Sequence, residues 1–145
     1  MLELRKSKLE EISAFIEMEN SEDTKQYVIP YAVEKHISEM RSEKVIYLSI
    51  YHVDKLSGFM ILAIEGIGSV EFRRIVISTK GNGLGQQAIN SMESFCAQQL
   101  GCSRVWLDVF ESNKRGLHIY KKLGYKQFKV GENNGSTLLF MEKVL

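Results

Sequence analysis

The sequence predicts an α/β domain built on a mixed sheet, and three observations carry that reading. Segments of two-residue alternation and segments of helical spacing interleave along the chain. A strand, a glycine-rich turn, a helix and another strand follow one another over residues 70–110, which is the order of a right-handed parallel crossover. The early and late strands are separated by short turns alone, the spacing of antiparallel hairpins. The expected order is β-α-α-β-β-β-α-β-α-β-β, with about seven strands, four helices and a central parallel pair.

The elements follow from local pattern. Residues 2–5 read as a short first strand. Ser7-Lys8-Leu9-Glu10 fits a capping box, after which Leu9, Ile12, Phe15 and Ile16 recur at helical spacing until about Asn20. Residues 21–30 form a loop holding the only proline, Pro30. Val33, His36, Ile37 and Met40 mark a second helix. Residues 45–51 are rich in β-branched and aromatic side chains, residues 52–57 are a polar turn, and residues 58–65 return as a partner strand. Residues 70–77 begin with clean alternation, Val70 and Phe72 against Glu71 and Arg73. The pattern then breaks into Ile75-Val76-Ile77, as a bulge after Arg73 would produce.

The strongest helix follows the glycine turn, with Leu84, Ala88, Ile89, Met92, Phe95, Cys96 and Leu100 on one stripe and Gly101 at its stop. Residues 104–110 alternate as a strand. Asn113 caps a short helix carrying Leu117, Tyr120 and Leu123, and Gly124 ends it. Two closing strands, near residues 125–130 and 136–144, flank a turn.

Composition excludes several functions. The chain has 145 residues, 44% hydrophobic and 26% charged, with a formal net charge of +1, so no basic stripe points to nucleic acid. Cys96 and Cys102 are too few for a disulfide framework, and the three histidines are far apart, so no metal is expected. Met1-Leu2-Glu3-Leu4-Arg5 lacks the apolar segment of a signal peptide, and no apolar run is long enough to cross a bilayer. A cytoplasmic protein of one domain, residues 1–145, is expected. The final strands leave room for pairing two copies as a homodimer.

The chemistry concentrates at Lys80-Gly81-Asn82-Gly83-Leu84-Gly85. Three glycines in five residues are costly as mere structure but suit a backbone that must approach a ligand. A helix N-terminus adds unpaired N–H groups and partial positive charge, which suit phosphate. The spacing is not a P-loop, because no Lys-Ser or Lys-Thr follows Gly85. Gly83-Leu84-Gly85-Gln86-Gln87-Ala88 matches a loose dinucleotide pattern, but the chain that follows looks half antiparallel. By itself the turn is also compatible with a tight loop that binds nothing.

The turn and its sequel resemble the Gcn5-related N-acetyltransferase family, which carries Arg/Gln-x-x-Gly-x-Gly/Ala at this junction. Lys80 is a mild departure at the first place. Arg104-Val105-Trp106-Leu107-Asp108-Val109 looks like that family's fifth strand. The segment from Asn113 to Tyr125 looks like its Asn-x-x-Ala-x-x-x-Tyr-x-x-x-Gly-Phe run, with Gly116 for Ala and Tyr125 for Phe. Residues 71–76 and 106–109 look most like the branch that includes ribosomal-protein N-terminal acetyltransferases.

The resemblance implies the following. Acetyl-CoA enters a gap between splayed parallel strands. Its pantetheine arm bonds the backbone of Ile75, Val76 and Ile77, and its diphosphate sits on residues 80–85. The acetyl group passes directly to a primary amine: a peptide or protein N-terminus, a polyamine or a small amine. Tyr120 is the candidate acid for the leaving thiolate, and Glu71 the candidate base, unless Glu71 merely pairs with Arg73 or Arg104. Asn113 contacts the cofactor arm or only caps its helix. A backbone amide near Val76 holds the oxyanion. The amine enters beside residues 17–31, where Glu19, Glu22 and Asp23 would attract a cation or form a solvated acidic loop, and where Tyr27 and Tyr31 would floor a pocket. A non-catalytic acyl-CoA-binding module is the alternative.

Overall fold

The computed structural model describes residues 1–78 and 80–145; Thr79, within the glycine-rich stretch, lies outside the described residues. Seven strands form one sheet in the order β1-β2-β3-β4-β5-β7-β6. They are β1 (Leu2–Lys6), β2 (Val45–His52), β3 (Lys55–Glu65), β4 (Ser69–Ile77), β5 (Arg104–Phe110), β6 (Lys126–Asn133) and β7 (Ser136–Val144). The helices are α1 (Ile12–Glu19), α2 (Val33–Arg41), α3 (Leu84–Gln99) and α4 (Lys114–Lys122). All neighbouring strands are antiparallel except β4 and β5. The mixed sheet with its central parallel pair is therefore as the sequence predicts.

The two faces of the sheet bury different cores. On one face Leu48, Met60, Leu62, Val70, Val105, Leu107 and Met141 pack with Ala88, Ile89, Met92 and Cys96 of α3 and Leu117 of α4. On the other, Tyr47, Phe59, Ile61 and Val76 meet Phe15 of α1. The strict alternation of β2, β3 and β5 is the direct cause, since neighbouring residues of a strand point to opposite faces.

The predicted bulge in β4 is present. Ile61 of β3 lies opposite Arg74 and Leu62 opposite Phe72, which leaves Arg73 as the extra residue. The bulge reverses the parity of the strand. Val70 and Phe72 before it belong to the α3 core, whereas Val76 after it belongs to the α1 core.

Two local expectations need correction. The reach-back of the first capping box comes from Glu11, not Glu10: Glu11 Oε1 accepts from Lys8 N at 2.9 Å, because a short 3-10 turn, Leu9–Glu11, precedes α1. The polar turn at residues 52–57 is much tighter than expected. β2 and β3 run on to His52 and Lys55, leaving Val53 and Asp54 as a two-residue hairpin loop with φ of 53° and 59°. Such loops favour glycine or asparagine, so their usual sequence signal is missing here.

Candidate active site

β4 and β5 pair over just three positions: Ser69 with Arg104, Val70 with Val105 and Glu71 with Trp106. Beyond them the strands share no ladder. β4 remains bonded to β3 as far as Ile77, and β5 to β7 as far as Phe110. The facing edges therefore carry main-chain groups with no sheet partner, and such groups require another one.

The gap is an open cleft of about 910 Å³. Its walls come from β4 (Phe72, Arg73, Arg74, Ile75, Val76, Ile77), from β5 (Asp108, Val109, Phe110), from the turn and first residues of α3, and from α4. Residues 23–24 and 26–29 of the loop after α1 complete it. A shallower depression of about 510 Å³, lined by Glu34, Ile37, Ser38, Arg41 and Ser42 of α2 and its end, gathers no comparable set of groups.

The glycine turn closes one end of the cleft. Gly81 and Gly83 adopt φ of 88° and 71°, a region that side chains disfavour. Gly83 is the N-cap of α3 and offers no side-chain cap, so among the described residues the first amides of the helix have no partner. A Cβ built at Gly81, Gly83 or Gly85 would meet nothing within 4 Å. The glycines thus border open space and are not needed for packing within the chain. The expected cofactor residues Ile75, Val76, Ile77, Lys80, Gly81, Gly83, Leu84, Gly85 and Asn113 all line the cleft. Asn82 belongs to the same turn without lining the cleft. Lys80 Nζ is tethered to Ile77 O at 2.6 Å and Thr24 Oγ1 at 3.1 Å, so its charge is held at the mouth.

Asn113 caps α4: its Oδ1 accepts from Gly116 N at 3.0 Å. The side chain folds so closely over the helix that a Cβ at position 116 would lie 2.7 Å from Nδ2. Tyr125, in place of Phe, sends its hydroxyl to Glu93 Oε2 on α3 at 2.9 Å, so the extra oxygen is satisfied in the core.

Tyr120 lines the cleft and meets Tyr125 edge-on at 5.9 Å between ring centroids. Burial, reinforced by the charge of Asp108, pushes its phenol up to about 12. Glu71 makes the Arg73 pairing, the second of its two expected readings. It lies in the short paired stretch of β4, before the strands part, and does not line the cleft. Its Oε1 accepts from Arg73 Nη2 at 3.1 Å, and Arg73 also reaches Glu39 at 3.3 Å.

Two carboxylates line the cleft: Asp23 of the loop after α1, and Asp108 on β5, two residues beyond the last parallel pair. The Asp108 side chain is exposed to the cleft, whose walls take away part of its water. That desolvation, and then the charge of Glu71, raise its carboxyl above the ordinary value, against a smaller lowering by Arg73. The alternation of β5 could have identified Asp108, because a carboxylate in a strand with Val105, Leu107 and Val109 on the core face must point the other way.

The acidic loop also needs a correction. Glu19 is fully buried, bonded to His36 Nε2 at 2.8 Å and paired with Arg74, so it does not present charge to solvent. Tyr27 lines the cleft, whereas Tyr31 stacks under the Arg74 guanidinium at 3.9 Å. Among the described residues no helix is long and apolar enough to cross a membrane.

Several solved structures share this architecture. Spermidine N-acetyltransferase from Vibrio cholerae, in complex with CoA and spermine, is 18% identical with a TM-score of 0.85 over 99% of this chain and 95% of that one. The ribosomal-protein-S18-alanine N-acetyltransferase from Escherichia coli is 16% identical with a TM-score of 0.83, covering 99% and 94%. A GNAT-family acetyltransferase from Streptococcus pneumoniae is 17% identical with a TM-score of 0.78, covering 100% and 99%. At such identities the likeness establishes the fold and favours no branch. The profile of the acetyltransferase (GNAT) family matches residues 12–125, from the start of α1 past the end of α4, and the chain belongs to that family.

Proposed function

We propose that this chain transfers the acetyl group of acetyl-CoA to a primary amine, with donor and amine held together in the cleft. One observation carries the reading: the parallel strand pair β4–β5 parts after three positions, over a cleft that ends at a helix N-terminus bordered by open glycines. Unpaired strand edges suit the amides of a pantetheine arm, and free helix amides suit a diphosphate. In this reading residues 1–145 act as one domain. Ile75, Val76 and Ile77 bond the arm, and Gly81, Asn82, Gly83, Leu84 and Gly85 cradle the diphosphate. Lys80 and Arg115 supply positive charge from the cleft walls. Asn113 has committed its Oδ1 to Gly116 and has its Nδ2 left for the arm.

The residues divide the chemistry as follows. A main-chain amide near Val76 donates to the thioester oxygen as charge develops there. Asp108, rather than Glu71, takes the proton of the attacking amine, because Asp108 faces the cleft and its affinity for a proton is raised. Glu71 contributes through its charge on Asp108. Tyr120 stays protonated at neutral pH and donates a hydrogen bond to the departing sulfur. Full transfer of its proton to a thiolate of ordinary pKa about 8.5 would be uphill by roughly 3.5 pH units, so Tyr120 stabilises the thiolate without ionising.

The acceptor class is tested with a panel of amines: spermidine, a peptide opening on alanine, and a simple alkylamine. Release of CoA that depends on one of these amines is the expected result. Tight acetyl-CoA binding without turnover of any amine would instead favour a non-catalytic acyl-CoA-binding module.

A further inference from the structure

A buried polar cluster links α1, α2, β2 and the bulge of β4, and neither acetyl transfer nor the donor site accounts for it. Glu19 at the end of α1 and His36 in α2 are fully buried, and the Arg74 side chain is 8% exposed. Glu19 Oε1 accepts from His36 Nε2 at 2.8 Å, and Glu19 Oε2 accepts from Arg74 Nη1. The carboxylate requires a proton on His36 Nε2. In the neutral ring Nδ1 then accepts from the Tyr47 hydroxyl at 2.7 Å, so every member is satisfied with no unpaired charge.

What the cluster grips is the segment before α2. Arg74 Nη2 donates to Ile29 O at 2.7 Å, its guanidinium covers the Tyr31 ring at 3.9 Å, and Tyr31 N donates to Glu19 Oε1 at 3.3 Å. The chain that runs into these anchors, Tyr27, Val28 and Ile29 itself, walls the cleft. Arg74 can do this only because of the bulge. Without the extra residue at Arg73, the parity of Val70 and Phe72 would carry position 74 to the α3 face. The bulge that accompanies the opening of the sheet therefore also aims the side chain that fastens the loop beside the opening.

We propose that Arg74 is a positioning residue for the amine: held by the buried Glu19–His36 pair, it latches residues 29–31 to the β4 bulge and so sets the wall of the cleft that receives the acceptor. The latch itself is independent of the acetyl-transfer reading, while its effect on the amine rests on that reading. Arg74 grips the loop from the α1 face, whereas the donor is assigned to the strand edges and the glycine turn. Losing the latch is therefore expected to loosen the acceptor's wall and spare the donor.

Two variants test it. Arg74→Met keeps an extended chain but removes the guanidinium, and Tyr31→Ala removes the stacked ring while leaving the ion pair. Hydrogen exchange at the amides of residues 24–31 is expected to quicken by about tenfold or more in Arg74→Met, with α3 and β5 unchanged. Acetyl-CoA affinity, read by calorimetry, is expected to stay within about twofold of the parent, while KM for the panel amine turned over fastest rises about tenfold with a smaller change in kcat. Parent-like exchange in residues 24–31 would overturn the latch. An equal loss of acetyl-CoA affinity would overturn the positioning role in favour of general support. If no amine is turned over, the exchange result still decides the latch, and the acetyl-transfer reading fails separately. If Arg74→Met does not fold, Tyr31→Ala is judged by the same measurements.

Discussion

Gly85 separates folding from binding more cleanly than the other glycines of the turn. At Gly83 any side chain meets a φ of 71°, so a loss of binding there would be confounded with strain. Gly85 has no such restriction and a Cβ there meets nothing. Gly85→Asp also places a negative charge in the first turn of α3, which has no acidic residue. Stability is expected to rise by about 0.3–1 kcal/mol, while acetyl-CoA affinity falls by about tenfold or more, since the same amides and dipole serve both anions. Calorimetry and thermal melts read the two effects apart; unchanged affinity would remove the diphosphate from this turn. Tyr120 and Asp108 offer a second contrast. Tyr120→Phe is expected to lower kcat by about 10²-fold with acetyl-CoA affinity unchanged, and a parent rate would end its role. Asp108→Asn should lower kcat/KM comparably and abolish the acid limb of its pH profile. Its effect on stability has the opposite sign. The folded pKa of Asp108 is raised, so the unfolded chain releases this proton first and stability falls as pH climbs from the unfolded value toward the folded one. The asparagine variant should therefore melt no lower than the parent at pH 7.

At the scale of elements, the site depends on how β3 holds β4. Gly58 lies opposite Ile77, and a Cβ there would approach Val76 O to 2.3 Å. The obstruction is main chain, so no rotamer can relieve it. Gly58→Ala is expected to cost about 1–3 kcal/mol and to weaken acetyl-CoA binding, because β4 must move where the donor's arm is assigned. A variant that binds as tightly as the parent would place the arm elsewhere. The elements themselves were largely legible. The stripe of α3, the alternation of β5 and the broken period of β4 each result from a side-chain repeat that a linear chain displays. The tightness of the β2–β3 hairpin was not, because Val53 carries no signal for positive φ and the two-residue loop is imposed by the pairing of β2 with β3.

At the scale of the whole molecule, neighbouring strands pair over five positions or more everywhere except between β4 and β5, which part after three. A ligand that fills the gap supplies partners to both edges and should bind the native state alone. Acetyl-CoA at 100 times its dissociation constant is then expected to add about 2.7 kcal/mol of stability. For a domain of this size that is a rise in Tm of about 5 °C or more. A melt indifferent to acetyl-CoA, with NAD(P) raising Tm instead, would redirect the site to a dinucleotide.

Residue order alone determined the fold class, the bulge and the glycine turn, because each is a local pattern of spacing or backbone freedom, whereas Tyr120 and Asn113 were drawn to the site by the family resemblance. Tertiary structure decided where each acidic side chain sits. Glu71, Asp108 and Glu19 are alike as letters, but one is engaged by Arg73 in the closed part of the sheet, one stands in the open cleft, and one is buried against Arg74 and His36. A carboxylate's proton affinity depends on its surrounding water and charge, and those are fixed only when distant strands and helices come together.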